Sequence, residues 1–497
     1  MKLESTTGVV DCPKSGDFGL KNEDDMDFDL VIQNGAVITA EKTVQVDLGV
    51  KDGKIAALGN GLNGRKNVSA QGMWVVPGGV DPHVHLEMPA PDTVTSDDWN
   101  TGTKAAAYGG TTTVIDFVEP ENDQTLLEAL ALRRAQADGR THVDYSLHMT
   151  LTSADPAVLS QISGVIEAGI PSFKLYTTYA GFALPDESLI AAFQAVGAAG
   201  GIVMLHAEND AIIQRSLKKL RAEGSLAPQY QPQSRPAIAE VEAIQRVILL
   251  ARFTGVPLYI AHISTHKGAQ AVERARQHGQ TVYGETCPQY LLLDETCNQN
   301  PDPRESVKFI CAPPLRKKKD QQALWSRLQS GGLQTVGTDH CAFNVNGQKD
   351  KGLEDFTRCP GGLPGIEARL ALLHTFGVRT GWLTPQQWVN VCSAAPAKIF
   401  GLYPRKGSFE IGADADIVIF DPERRVKLTK SVLHENVDHT PYEGLELQGW
   451  VHSTYLRGQL IASADDSAAS SEAKGRFIPV VLSPTTPVVG GQKSGDF

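Results

Sequence analysis

The 497-residue chain has no run of about 18 apolar residues, so no helical membrane span is expected. It also lacks any excess of positive charge. Its 46 Lys plus Arg stand against 57 Asp plus Glu, a net −11, which argues against nucleic-acid and anionic-membrane partners. No CxxC pair occurs among the seven cysteines, Cys12, Cys287, Cys297, Cys311, Cys341, Cys359 and Cys392. Scattered and odd in number, they read as reduced thiols and not as a disulfide framework. The opening MKLESTTGVVDCPKSGDFGLKNEDDMD is acidic and has no apolar segment of the secretory kind, so a cytoplasmic protein is expected. No G-x-G-x-x-G follows the first strand-like segment of the central region, which leaves a dinucleotide fold without support. What is present is ordinary globular composition, 41% hydrophobic and 21% charged, with ample material for a core.

Residues 1–27 show no periodicity and are expected to form a flexible N-terminal arm. From Asp29 onward, DLVIQNGAVIT, QVDLGVKDGKIAALG and MWVVPG alternate apolar and polar residues between Asn-Gly and Asp-Gly turns. The same texture returns in GSFEIGADADIVIFDP and WVHSTYLRGQLIA. A small β-sandwich built from 28–78 plus 405–462 is therefore expected. Between them, over 79–404, eight strand-like runs alternate with Ala- and Leu-rich helical stretches. The runs are GGVDPHVHL, TTTVIDFVEP, HVDYSLHMTLT, PSFKLYTTY, GIVMLHAEN, PLYIAHIS, TVYGETCP and QTVGTDHC. That alternation favours an α/β fold, a (β/α)8 TIM-like barrel, with a doubly wound sheet as the alternative. Residues 463–497 are of low complexity with one apolar island, RFIPVVL.

In a parallel barrel, polar residues at the C-terminal ends of strands converge on one mouth. The candidates are His83 and His85 ending strand 1, Lys174 in strand 4, His206 ending strand 5, His262 ending strand 6 and Asp339 ending strand 8. Each interrupts an apolar run, and an isolated charge there would be costly without a partner such as a metal. His83-Val84-His85 alone reads equally well as a ligand pair or as structural histidines. The three other strand-end residues tip the balance toward metal. Lys174 cannot ligate as an ammonium. Desolvation lowers an amine's pKa, and reaction with CO2 would turn Lys174 into a carbamate (N6-carboxylysine) able to bridge two metals. A lysine paired with a nearby acid is the plainer reading. Two divalent cations offset by a carbamate, Asp339 and a hydroxide would leave about +1 in the site, suited to a developing oxyanion.

Ordered motifs from about Leu30 to the 450s carry a family resemblance: PGGVDPHVHLEMP, GGTTTVIDF, PSFKLYTTY, HAEND, AHIS, GETCPQYLLLDE, KFICAPPLR, GTDHC and DFTRCPGGLPGIEAR. The chain resembles the hydantoinase/dihydropyrimidinase branch of the amidohydrolase superfamily, and looks closest to bacterial phenylhydantoinase- and D-hydantoinase-like enzymes. The resemblance implies hydrolytic ring opening of cyclic amides and imides to N-carbamoyl amino acids. It implies two divalent metals, zinc first with manganese or another as alternatives. His83, His85 and Asp339 would hold the more buried ion, His206 and His262 the other, with carboxylated Lys174 between them. By the same resemblance Tyr179 would steady the oxyanion and Asp339 would shuttle the proton. Thr286, Cys287 and Gly361 would contact the substrate ring, Gly361 standing where the family usually has Asn. Homotetramers are usual in the family, and the RFIPVVL island is expected to dock on a neighbouring subunit, with a disordered tail as the alternative.

Glu87 occupies the place where dihydroorotase-like relatives carry an arginine, and is expected to repel a substrate carboxylate. Allantoinase is less favoured, because Met88, Tyr176 and Phe182 suit an apolar substituent, although they also read as barrel-mouth packing. A non-enzymatic scaffold is disfavoured because all six ligand positions are filled. His266 reads as part of a loop, His340 as a candidate support for the site, and Cys287 and Cys341 lack the partners of a nucleophile.

Overall fold

The computed structural model describes residues 28–121, 123–465, 472 and 474–480. The arm expected over 1–27 lies outside the described residues, as does Cys12. Each of the eight strand-like segments contains a strand: β1 Gly79–Asp81, β2 Thr111–Val118, β3 Asp144–Thr150, β4 Ser172–Tyr176, β5 Ile202–His206, β6 Leu258–Ile260, β7 Val282–Thr286 and β8 Thr335–Val336. They form one sheet in chain order with every neighbouring pair parallel. Every residue of β2, β3, β4 and β5 is buried, as expected of strands covered on both faces.

The covering helices include α1 Trp99–Tyr108, α2 Leu126–Ala137, α3 Asp186–Ala198, α4 Asp210–Ala222, α5 Ala237–Thr254, α6 His266–Gln277 and α7 Lys318–Ser330. Their ends follow local chemistry. Asp98 and Thr101 form a reciprocal cap on α1, and Thr125 and Glu128 do the same on α2. α5 stops at Gly255, whose φ of 78° a residue with a side chain adopts only under strain. His266, expected in a loop, is instead the first residue of α6. Thr265 caps it, its hydroxyl accepting from the Gly268 amide at 3.1 Å. Among the described residues no helix is long and apolar enough to cross a membrane.

β1 and β8 share no continuous ladder, and the barrel is closed there by side chains. Buried Arg369 donates through Nη1 to the carbonyls of Val80 and Val336, both at 3.0 Å. The Asp81 carboxylate accepts from the Thr338 amide at 3.0 Å and hydroxyl at 2.6 Å. Beyond the strands, a bridge between Val84 and His340 continues the closure, with the His85 amide bonded to the His340 carbonyl at 2.8 Å.

Two antiparallel-rich sheets lie beside the barrel. One takes Phe28–Gln33, Asp47–Lys51, Lys54–Gly59 and Gly64–Ser69. The other joins Ala36–Ile38, Thr43–Gln45 and Trp74–Pro77 to Ile417–Lys427, Glu446–Leu456 and Gln459–Ser463. Between them they enclose Leu30, Ile32, Leu48, Val75, Ile417, Ile419 and Tyr455.

The apolar island near the C-terminus departs from expectation. Its described part seats on this same chain: the Tyr145 amide donates to the Arg476 carbonyl at 3.0 Å, and the Ile478 amide to the Tyr145 carbonyl at 2.8 Å. Ile478 and Val480 join the barrel-interior cluster of Val80, Phe117, Met204 and Tyr259. β4 pairs with β3 only at the end of β3, Phe173–Lys174 against Met149–Thr150, so the start of β3 has an open edge for these residues. Docking on a neighbour is not needed to bury them.

Candidate active site

His83 and His85 lie just past β1, where the Val84–His340 bridge keeps the chain extended and sends both rings to one side. Nδ1 of His83 is bonded to Glu285 Oε1 at 2.8 Å, which turns its Nε2 toward Asp339 Oδ1 at 3.3 Å. Nε2 of His85 lies at the same distance from the same oxygen. One potential ligand atom from each of the three lies within 4.8 Å of the others. The His85 ring stacks on Phe117 at 4.6 Å.

The second pair stands opposite. His206 ends β5, and its Nδ1 faces Nε2 of His262 at 2.9 Å. Its Nε2 is bonded to Glu208 Oε2 at 2.8 Å. The His83 and His262 rings are 5.4 Å apart, so the two groups adjoin. Glu285 ties them together: Oε1 takes His83 and the His262 amide, and Oε2 takes the Tyr259 hydroxyl. Burial pushes Glu285 up to about 7. Burial also lowers the pKa of His83, His206 and His262, which keeps these imidazoles neutral with a lone pair to offer.

Lys174 is buried in the middle of β4 with Nζ 5.2 Å from the Phe117 ring and 5.1 Å from Tyr176. No carboxylate lies within salt-bridge distance of it among the described residues, and burial brings its pKa down to about 8. A buried amine without an acid partner, close enough to His83, His206 and His262 to act on each of them, suits a carbamate, so the donor set fits two divalent ions. The plainer reading, a lysine paired with an acid, is not what the geometry displays.

Three site residues have left-handed backbones despite their side chains: Tyr179 at φ 81°, His262 at 38° and Asp339 at 51°. Such conformations cost about 1–3 kcal/mol each and gather at functional sites. The Tyr179 ring packs against His206 at 5.0 Å and under Arg235 at 4.9 Å. The remaining expected contacts are less direct. Thr286 spends its hydroxyl on the Ile263 carbonyl at 2.8 Å, and Cys287 is fully buried. Gly361 is exposed, and a Cβ there would meet nothing closer than 3.9 Å, so an Asn would fit without strain. Glu87 corrects an expectation: its carboxylate pairs with Arg140 at 2.8 Å, so it is not a free charge facing a substrate. His340, a candidate support, is fully buried next to Asp339. It donates to Asp97 at 3.1 Å, accepts the Gly365 amide at 3.1 Å, and so fixes the chain beside Asp339.

Glu285, Glu208 and Arg235 escaped the sequence reading. The first two had a signal, since each is an acid in or just after a buried strand; Arg235 sits between a short helix and Pro236 and had none.

The model of the amidohydrolase family matches residues 74–461. The chain belongs to the amidohydrolase family. This amidohydrolase is 40% identical over 441 residues to a D-hydantoinase of Streptomyces coelicolor, covering 87% of this chain and 94% of that protein. It is 39% identical over 454 residues to a D-phenylhydantoinase of Escherichia coli, covering 90% and 97%. Among solved structures it superposes on a D-hydantoinase with a TM-score of 0.89 at 38% identity, covering 91% of this chain and 98% of that one. Amidohydrolases are metal-dependent, and in this amidohydrolase His83, His85 and Asp339 offer a cation a ready set of donors.

Proposed function

We propose that this chain hydrolyses cyclic amides and imides, opening 5-substituted hydantoins and dihydropyrimidines to N-carbamoyl amino acids. The observation that carries the reading is the meeting of His83, His85 and Asp339 with His206 and His262 around one buried lysine. It is supported by similarity to proteins named D-hydantoinase, D-phenylhydantoinase and dihydropyrimidinase.

In this reading His83, His85 and Asp339 would hold one divalent ion, His206 and His262 would hold a second, and Lys174, modified to N6-carboxylysine, would serve both. Zinc is the first choice for both. Bound cations would supply Lewis acidity and hydroxide at neutral pH. Tyr179 donates its hydroxyl to the oxyanion that forms when the ring carbonyl is attacked. Burial raises its pKa, so the proton stays on the oxygen that must donate it. Asp339 moves the proton. Burial pushes its pKa up, but His83 and His85 more than offset this and keep it below the ordinary value, leaving a carboxylate ready to accept. Its Oδ1 meets both imidazoles, and Oδ2 is left to carry the proton to the departing ring nitrogen. Backbone groups of Thr286, Cys287 and Gly361 orient the ring.

Residues 79–404 form the catalytic unit and 28–78 plus 405–462 its sandwich companion. A homotetramer is the proposed assembly, and exposed Leu249 and Phe253 on α5 provide an apolar face for it. The test is a substrate panel on zinc-loaded protein: 5-aryl and 5-alkyl hydantoins, dihydrouracil, allantoin and dihydroorotate. Turnover of the first three classes is expected. Preference for allantoin or dihydroorotate would overturn the assignment.

A further inference from the structure

Arg235 sits where three site elements meet. Its Nη1 donates to Glu208 Oε2, the same oxygen that accepts from His206 Nε2 at 2.8 Å. Its guanidinium carbon lies 4.9 Å from the centre of the Tyr179 ring, and that ring meets His206 edge-on at 5.0 Å. A closed circuit results: His206, Glu208, Arg235, Tyr179 and back to His206. Glu208 is fully buried, and only 15% of the Arg235 side chain is exposed.

Both ends of this circuit need an external hold. The Glu208 carboxylate fixes the proton of His206 on Nε2 and leaves the lone pair on Nδ1, the nitrogen that faces His262. A lone carboxylate buried there would be free to swing, and the Arg235 guanidinium holds it in place. Tyr179 has a strained backbone, and its hydroxyl has no protein partner among the described residues, so its ring is placed by packing alone. The Arg235 plane is one wall of that packing. Arg235 is itself anchored, because Arg316 Nη1 donates to its carbonyl at 2.6 Å while Arg316 Nε holds Ser264 at 3.0 Å. The Glu208 backbone is fixed separately by Thr177, whose hydroxyl accepts from the Glu208 amide at 3.0 Å and lies two residues before Tyr179.

We propose that Arg235 is a positioning residue that couples the lone-pair direction of His206 to the placement of the Tyr179 hydroxyl. One side chain thereby sets both zinc retention on the His206–His262 side and oxyanion donation. Bare burial of an ion pair would not need the tyrosine ring on its face.

The experiment uses full-length Arg235→Met, Arg235→Lys, Tyr179→Phe and the Arg235→Met/Tyr179→Phe double variant, each confirmed folded by circular dichroism. Zinc affinity is read by competition with a chromophoric chelator, which requires no substrate. Arg235→Met is expected to weaken zinc binding at one of two sites by about 10–100-fold, with Arg235→Lys falling less because it keeps the charge on Glu208. Tyr179→Phe should leave zinc binding unchanged. Unaltered zinc affinity in folded Arg235→Met would overturn the coupling.

The kinetic half rests on the proposed ring opening and is read with a 5-substituted hydantoin. Arg235→Met should lower kcat by about tenfold or more with KM changed less than about threefold, and in the Tyr179→Phe background it should add much less than that. Losses that simply multiply would refute the tyrosine link. If the parent enzyme opened no cyclic amide, the ring-opening assignment would fail while the zinc measurement still judged Arg235.

Discussion

Replacing Lys174 with methionine removes a buried amine while nearly preserving its volume. In metal-free, CO2-free protein the amine is a liability: burial brings its pKa from 10.5 to about 8, and the flanking Phe117 and Tyr176 rings do not replace a carboxylate. The gap corresponds to ~3 kcal/mol of lost stability wherever both folded and unfolded chains are protonated, below pH 8. Between pH 8 and 10.5 the unfolded chain still holds a proton that the folded one has released. Stability should therefore rise with pH across that window relative to the variant, and the penalty should vanish above it. Urea denaturation of both proteins at pH 7 and pH 10.5 measures this. The methionine variant should be the more stable by ~2–3 kcal/mol at pH 7, and the two should converge at pH 10.5. Greater stability of the lysine protein at pH 7 would mean that Lys174 is paired in the native state, and the carbamate argument would lose its physical basis. The same variant should retain less zinc than the parent and lose turnover.

Tyr179→Phe should cut kcat by about 10²–10³, the usual effect of losing one oxyanion donor, with zinc content unchanged in elemental analysis. A loss below about threefold would assign the oxyanion to other groups. Arg369→Met strips donors from the buried carbonyls of Val80 and Val336, and at ~1–3 kcal/mol each it should destabilise by ~2–6 kcal/mol, read as a lower urea midpoint at constant slope. Gly361→Asn should change stability by less than ~0.5 kcal/mol, because the position is open and its φ is ordinary, while the KM for hydantoins shifts. A large loss of stability would show that the loop needs glycine.

The barrel was legible because its strands are short apolar runs punctuated by chemistry. His206 is literally the last residue of β5, and Lys174 the centre of β4. The histidine and aspartate candidates could be read because polar residues at those points have no structural excuse. What could not be read depends on side-chain direction. Glu87 has a left-handed backbone, φ 48°, and its carboxylate reaches Arg140, a partner 53 positions away that no local pattern announces. Arg235 is also remote in sequence from the residues it touches, and Glu285 hid inside β7 next to Thr286 and Cys287, which drew the notice instead. The tail was misjudged for a different reason: an apolar island demands burial, but sequence does not say against which surface. The edge that β3 leaves open toward β4 at Tyr145 answered that.

The closure between β1 and β8 has a consequence for how the molecule lives with its metal. His83 and His85 extend from one side of that closure and Asp339 from the other, so a cation held by the three would act as a clasp on the edge where backbone pairing is poorest. Binding energy spent there is also energy spent against unfolding. Metal starvation should then do more than silence the chemistry. It should loosen the β1–β8 edge first, exposing those segments to hydrogen exchange and proteolysis while β2 through β7 stay shut, so that cellular lifetime follows metal supply.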